Sequence, residues 1–154
     1  MRFPTESSES QTMEFYPAPF TPEHDPFAVV CFIWQGDLVL LAKIANRGWC
    51  VPSGRIEPNE TASQAAVRES KEEAGAKINK PVEIGTYKIT NGEKMSWATA
   101  VTSHLISLEE FQTTQESSDR MLCPIEKLPE IYYLWNPLTE AVFHHSKNTL
   151  RTES

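Results

Sequence analysis

Residues 60–74 constrain the chain most, because they combine a helical pattern with a crowded acidic face and precede Gly75, which is typical of a helix end. A helix turns by about 100° per residue, so Glu73 lies about 40° to one side of Glu69 and Glu72 about 60° to the other. Three carboxylates within one turn repel each other. A hard divalent cation would relieve this repulsion. From composition alone, a solvated acidic face that binds nothing is an equal alternative.

Small side chains cover other sides of this helix. Ala62, Ala65 and Ala66 extend the acidic face toward the helix start, and Val67, Ser70 and Ala74 form a neighbouring stripe. A helix with small residues on two sides is typical of one enclosed between two layers of structure. We therefore expect the acidic end of the helix to lie in a cleft and not on an open surface.

This segment resembles the signature of the Nudix hydrolase family, G-x5-E-x7-R-E-U-x-E-E-x-G-U, in which U is a bulky aliphatic residue. The match runs from Gly54 to Ala76, and a weaker resemblance extends from about Phe27 to Pro129. All seven fixed positions match, namely Gly54, Glu60, Arg68, Glu69, Glu72, Glu73 and Gly75. Chance would produce these seven matches with a probability on the order of 10⁻⁹ per starting position, so the signature is specific.

The resemblance implies a fold and a chemistry. The expected fold is α+β, a Nudix-like α/β/α sandwich with a mixed central sheet. The expected reaction is divalent-metal-dependent hydrolysis of a diphosphate bond in a nucleoside diphosphate derivative or nucleotide-like substrate, by water attack on phosphorus. Mg²⁺, or Mn²⁺ in its place, would neutralise the charge that develops on the phosphoryl oxygens and acidify the attacking water.

The resemblance also implies catalytic and metal-binding roles within the signature. Glu69 and Glu73 match the main metal ligands, with Glu72 in support, and the backbone carbonyl of Ser53 is a further expected ligand. One of these glutamates, or a glutamate outside the signature, would act as the general base. Arg68 is expected to orient a carboxylate.

Three further signature residues are expected to be structural. Glu60 would pair with Arg68 and hold the join between the loop and the helix. Gly54 and Gly75 occupy the two glycine positions of the signature and shape the two ends of the segment.

Residues outside the signature would complete the site. The family often adds an acidic residue from a late loop, and we favour Glu116 over Asp119 for this metal-binding role. Lys43, Arg47 and Arg55 flank the expected cleft and are candidates for binding substrate phosphates. Surface charges without a role are the alternative for these three cations.

Some residues depart from the family pattern. Ser53 and Asn59 stand where the family commonly has glycine, Ser70 occupies an aliphatic position, and Ala76 is smaller than usual. A side chain on Ser53 would restrict the backbone if a positive φ were required there. This motivates an alternative function, a low-activity Nudix-like nucleotide-binding or sensor domain. A third option is an isomerase that acts on a prenyl diphosphate.

The rest of the chain divides into a flexible or extended N-terminal segment, residues 1–25, and one domain over residues 26–150. The segment contains four prolines and shows no apolar period before Met13. Apolar runs and turn residues predict two hairpins, and Asn136-Pro137 predicts the start of a last helix. The predicted elements are strands over 27–34, 38–44, 49–51, 82–90, 94–107 and 120–124, and helices over 60–74 and 136–147.

Charge and cysteine content limit the partners. The net charge is −7, no basic cluster is visible, and no apolar run is long enough to cross a membrane. We therefore expect a small phosphorylated substrate and neither a nucleic acid polymer nor a membrane as a partner. The three cysteines, which lack a CxxC pair, indicate reduced thiols and a cytoplasmic location. A homodimer that pairs through residues 1–25 is left open.

Overall fold

The computed structural model describes residues 2–114 and 116–153, which form one mixed sheet with helices on both faces. The strands are β1 (Glu6–Ser7), β2 (Thr12–Pro17), β3 (Ala28–Gln35), β4 (Leu38–Ile44), β5 (Gly48–Cys50), β6 (Ser53–Arg55), β7 (Ala76–Ile78), β8 (Val82–Asn91), β9 (Lys94–Leu108) and β10 (Ser117–Pro124). The helices are α1 (Ala62–Ala74), α2 (Leu128–Ile131) and α3 (Pro137–Glu153), and a 3₁₀ turn spans Ile125–Lys127.

The sheet has the strand order β1-β2-β8-β9-β3-β4-β10, and the short strands β5, β6 and β7 pair with β4, β3 and β9, respectively. β3 and β9 run parallel, and the other paired strands are antiparallel. Both predicted hairpins form, and their turns use Gly36 and Gly92 at a φ of about +60°. The predicted α/β/α sandwich with a mixed central sheet is confirmed.

Each face of the sheet has its own core. On one face the small residues of α1, including Ala65, Ala66 and Ala74, allow the helix to approach Val29 and Ile33 of β3 closely. The opposite face packs against α3 and is rich in large side chains, which include Phe32, Trp34, Leu41, Leu138, Val142 and Phe143. The expectation that this helix is enclosed between two layers is wrong: Ala65, Ala66, Ser70 and Ala74 pack against the sheet, whereas Val67, at 41% exposed, lies on an outer face open to solvent.

The caps of α1 are set by its own sequence. Thr61 accepts a hydrogen bond from the backbone N–H of Gln64, and the Gln64 side chain accepts one from the N–H of Thr61, which is a capping box. Gly75 ends the helix in the left-handed conformation, at a φ of 60°. The helix begins at Ala62, two residues later than predicted, because Thr61 takes the N-cap position.

Part of the N-terminal segment takes the extended of the two alternatives stated for residues 1–25. Residues 12–17 form β2, which pairs along its whole length with β8. Phe15 is buried, with its ring 5.1 Å from the ring of Tyr87. The prolines obscured this strand, because Pro17 ends it and the other prolines lie outside it. Across the described residues, no helix is long and apolar enough to cross a membrane.

Candidate active site

Two glutamates of α1 open onto a cleft of about 910 Å³. Glu69 and Glu73 line it together with Ser53 and Gly54 of β6 and with Glu116, which directly precedes β10. The two helix residues are one turn apart and share a face. The cleft therefore gathers three of the carboxylates that the sequence predicts as metal ligands.

The cleft requires a glycine where α1 approaches β6. The carboxylate of Glu69 lies directly against Gly54, and a Cβ atom at position 54 would overlap the carboxylate carbon. Gly54 is not in a positive-φ conformation, so close approach and not backbone strain demands this glycine.

Burial dominates the electrostatics of the two acids. Desolvation raises the pKa of Glu73 to about 7, although its Oε1 accepts a 2.9 Å hydrogen bond from the N–H of Ser53. Desolvation also raises the pKa of Glu69, and the Arg68 guanidinium opposes this increase. The negative charge of Glu116 raises both pKa values further. A bound cation would favour the ionised form of both acids.

Ser53 adopts its position without strain. It lies in β6 opposite Val30 of β3, and the positive φ values among described non-glycine residues belong to Asn46, Asn59 and Lys80. The side chain at position 53 thus leaves the loop undistorted. Asn59, at a φ of 67°, takes the left-handed conformation that asparagine tolerates better than most residues.

Arg68 ties the loop before α1 to its acidic face. Its Nε and Nη2 donate to both carboxylate oxygens of Glu60, each at 2.9 Å, and Nη2 also donates to the carbonyl of Arg55 at 2.9 Å. Its Nη1 donates to Glu69 at 2.7 Å and to Glu72 at 3.3 Å. The predicted pairing with Glu60 is present, and the bond from Nη1 restrains the carboxylate of Glu69.

The pairing of Arg68 with Glu60 should make the stability of the fold depend on pH. The hydrogen bond from Arg68 lowers the pKa of Glu60 to about 2, so the pairing stabilises the fold above about pH 4.5 and is lost as the pH falls toward 2. Arg68→Gln should lower the melting temperature at pH 7 by roughly 5 °C, and the gap to wild type should narrow near pH 2.5. Arg55→Gln, which removes an exposed guanidinium nearby, should leave the melting temperature unchanged. An unchanged Arg68→Gln melting curve at pH 7 would refute this role.

Two of the predicted acidic residues lie farther from the cleft. Glu72 is 60% exposed and lines an adjoining pocket of about 320 Å³ with Glu69, Glu73 and Glu116. Asp119 is exposed, and its carboxylate accepts a 2.8 Å hydrogen bond from the N–H of Arg120. Glu116, the favoured late-loop residue, is therefore the one placed beside the signature acids.

The three cationic side chains predicted to bind substrate phosphates differ in their position relative to the cleft. Arg47 and Arg55 line the cleft, and the Arg47 guanidinium lies 5.6 Å from the ring centre of Tyr133. Lys43 is exposed, lies opposite Trp49 in the ladder with β5 and is not among the described residues that line the cleft. Strand alternation explains this, because the cleft-lining residue Ile44 is its neighbour on β4 and faces the other way.

One wall of the cleft is apolar, and it was not predicted from the sequence. It combines side chains from β2, β3 and the residue before it, β8, β9 and the turn after α2; they include Met13, Phe27, Val30, Tyr87, Ile89, Ala98, Tyr132, Tyr133 and Leu134. The pairing of β2 beside β8 is a long-range contact with no local signal, so the contribution of Met13 could not be seen.

The residues of the cleft fit a hard divalent cation by donor chemistry, since carboxylate oxygens are the ligands such ions prefer. Within residues 2–114 and 116–153, no three His, Cys, Asp or Glu side chains already form a metal-ready cluster. Glu69 is held by Arg68 and Glu73 by Ser53, so these carboxylates would reorient to share an ion. The positive charge of the ion would offset the mutual repulsion of the carboxylates in that arrangement.

Comparisons with known proteins agree with the fold and the signature. The family model described as the NUDIX domain matches residues 24–145. The Bacillus subtilis protein YtkD, by its name a candidate 8-oxo-dGTP diphosphatase, is 36% identical over 83 residues. That match covers 54% of this chain and only 51% of YtkD, about half the length of this relative.

Solved structures show the same architecture. A mutant of the Bacillus subtilis pyrophosphohydrolase BsRppH superposes with a TM-score of 0.72 at 26% identity, covering 94% of this chain and 92% of that one. A NUDIX hydrolase from Nitrosomonas europaea gives a TM-score of 0.64 at 21% identity, over 80% and 90% of the two chains, which shows the fold alone. With the family model matching most of its length, the chain belongs to the NUDIX family.

Proposed function

We propose that this chain hydrolyses a diphosphate bond in a nucleoside diphosphate derivative or nucleotide-like substrate, with Mg²⁺ or Mn²⁺ as its ion. The observation that carries the proposal is the convergence of Glu69, Glu73 and Glu116 in one cleft that also exposes Arg47 and Arg55. The diphosphatase and pyrophosphohydrolase names of YtkD and BsRppH support the same reaction class. NUDIX hydrolases generally use divalent metal ions.

Each part of the cleft has a task in this reaction. Glu69, Glu73 and Glu116 would hold the ion, with Glu72 in support from the adjoining pocket. When bound, the ion supplies charge neutralisation at the diphosphate and acidifies water. A carboxylate of this group accepts the proton of the attacking water, and the oxygen of that water forms the new bond to phosphorus as the bond to the leaving phosphate oxygen breaks.

Two cations and the apolar wall would position the substrate. Arg47, stacked near Tyr133, and Arg55 can hold phosphate oxygens by paired hydrogen bonds. The apolar wall offers a surface for the rest of a nucleotide-like molecule. Ser53 shows no strain, so the one observation that motivated a low-activity binding domain is absent from the structure.

Hydrolysis should require the divalent ion. Chelation with EDTA should abolish turnover of a panel of nucleoside diphosphate derivatives, and added Mg²⁺ or Mn²⁺ should restore it. In ¹⁸O-labelled water, one product phosphate should gain one heavy oxygen, as mass spectrometry can detect. The exposed-site variant Glu130→Gln should match wild type.

Three results would count against the proposal. Turnover that survives chelation would refute the metal requirement, and label that appears outside the product phosphates would refute attack on phosphorus. Tight binding of a panel member without hydrolysis under saturating metal would favour a binding or sensor domain.

A further inference from the structure

The segment between β9 and β10 lies against the C-terminal end of α1. The N–H of Glu109 donates to the carbonyl of Gly75 at 2.7 Å. Thr114 Oγ1 accepts hydrogen bonds from the N–H groups of Glu116, at 3.1 Å, and Ser117, at 2.9 Å. These bonds from Glu116 and Ser117 to Thr114 restrain the backbone from which Glu116 projects.

Arg120 joins this segment to the helix. Its Nη1 donates to the carbonyls of Ala74, at 2.9 Å, and Glu109, at 2.8 Å, with a longer contact of 3.4 Å to Gly75. Its guanidinium also lies 5.3 Å from the ring centre of Phe111. A cation at these carbonyls satisfies acceptors that the helix end leaves open and complements the negative end of the helix dipole.

The contact between Arg120 and the helix end is close enough to depend on Gly75. A Cβ atom at position 75 would lie 2.7 Å from Nη1 of Arg120 and 3.2 Å from the carbonyl oxygen of Glu109. The glycine is therefore needed for the left-handed helix end and also for the approach of this guanidinium.

Ser117 supplies a second link at the acids themselves. Its hydroxyl donates to the backbone carbonyl of Glu73 at 2.6 Å, and its side chain is 1% exposed. Because Ser117 follows Glu116 directly, this bond sets how far the Glu116 backbone lies from the Glu73 backbone. Glu73 and Glu116, which come from different parts of the chain, are thereby held with their backbones at a fixed separation.

We propose that Arg120, with Ser117, is a positioning residue that fixes Glu116 relative to Glu69 and Glu73. This inference rests on the proposed function, because it assumes that the three acids share an ion. Arg120 itself contacts neither substrate nor ion in this proposal; it acts through the backbone of the segment and of the helix end.

The test measures Mn²⁺ affinity of the full chain by electron paramagnetic resonance of the free ion, together with turnover. Arg120→Gln should weaken Mn²⁺ binding roughly tenfold or more, in the range typical of residues that orient metal ligands. Arg120→Lys should recover part of this loss, and Ser117→Ala should weaken binding in the same direction. Arg2→Gln, an exposed arginine, is the matched control and should bind as wild type does.

A double-variant cycle separates positioning from general destabilisation. In a Glu116→Gln background, Arg120→Gln should cause little further loss of Mn²⁺ affinity, because its target is already removed. Full additivity of the two losses would overturn the proposal, as would wild-type affinity in a folded Arg120→Gln protein. If the wild-type protein neither binds Mn²⁺ nor hydrolyses the panel, the proposed function fails. If the wild-type protein does both, and the Arg120 variants bind Mn²⁺ as tightly as the Arg2→Gln control, this inference alone fails.

Discussion

Glu73→Gln should abolish hydrolysis and at the same time stabilise the metal-free protein above neutral pH. Loss of activity should exceed about a hundredfold, since even residues that merely orient metal ligands contribute 10- to 100-fold. Glutamine keeps the oxygen that accepts the bond from Ser53, so the local geometry should survive. The measurement is the initial rate under saturating Mg²⁺ or Mn²⁺, with Glu130→Gln as control.

The gain in stability follows from the pKa of Glu73, which burial raises from 4.5 to about 7. The folded state therefore resists ionisation of this carboxyl, and wild type loses stability as the pH rises from about 4.5 through 7. Glutamine carries no charge and avoids this loss, which amounts to about 1–3 kcal/mol.

In EDTA at about pH 8.5 the Glu73→Gln variant should melt roughly 3–8 °C above wild type, and at about pH 4.5 the two should coincide. Differential scanning calorimetry can measure both values. An equal difference at both pH values would show that packing and not ionisation separates the two proteins. A variant that melts below wild type at pH 8.5 would contradict the argument.

Gly54→Ala should remove activity nearly as completely, although it adds a single methyl group. That methyl would occupy the space of the Glu69 carboxylate next to β6, so the carboxylate would be excluded from the region in which it would turn toward a shared ion. The displaced group is the end of a flexible side chain, and the backbone of Gly54 has an ordinary φ. We therefore expect loss of metal affinity with a smaller loss of stability.

Mn²⁺ binding and thermal melting together test the Gly54→Ala prediction. Metal affinity should fall at least tenfold, as expected when a ligand is displaced, while the protein keeps a cooperative melting transition. Gly36→Ala is the control. A methyl group at position 36 meets open space, but the alanine must adopt a positive φ. It should lose about 1 kcal/mol of stability and keep its metal affinity. Wild-type metal affinity in Gly54→Ala would refute the overlap.

The part of the site that lies in the signature was predictable because its contacts join residues that are close in the sequence. Helix geometry places Glu69 and Glu73 on one face, and Thr61 and Gly75 bound the helix within the same short segment. The pairing of Arg68 with Glu60 also lies within this segment. Such features depend on residue spacing, which the sequence displays directly.

The other half was not predictable because its contacts join distant parts of the chain. Nothing near Met13 indicates that β2 pairs with β8 and adds to the apolar wall. Likewise, nothing near Arg120 indicates that it meets the carbonyls of Ala74 and Glu109. These contacts depend on the order of strands in the sheet, which hydrophobic periodicity does not reveal.

The parallel pairing of β3 with β9 has a consequence for how the protein acquires activity during folding. Ala28 pairs with Ala98, and the whole signature lies in the chain between these two strands. Closing so large a loop is slow compared with forming a hairpin or a helix. The signature helix can therefore form early, but the acids can acquire their buried surroundings only after the central strands have met, so partly folded intermediates should be catalytically silent.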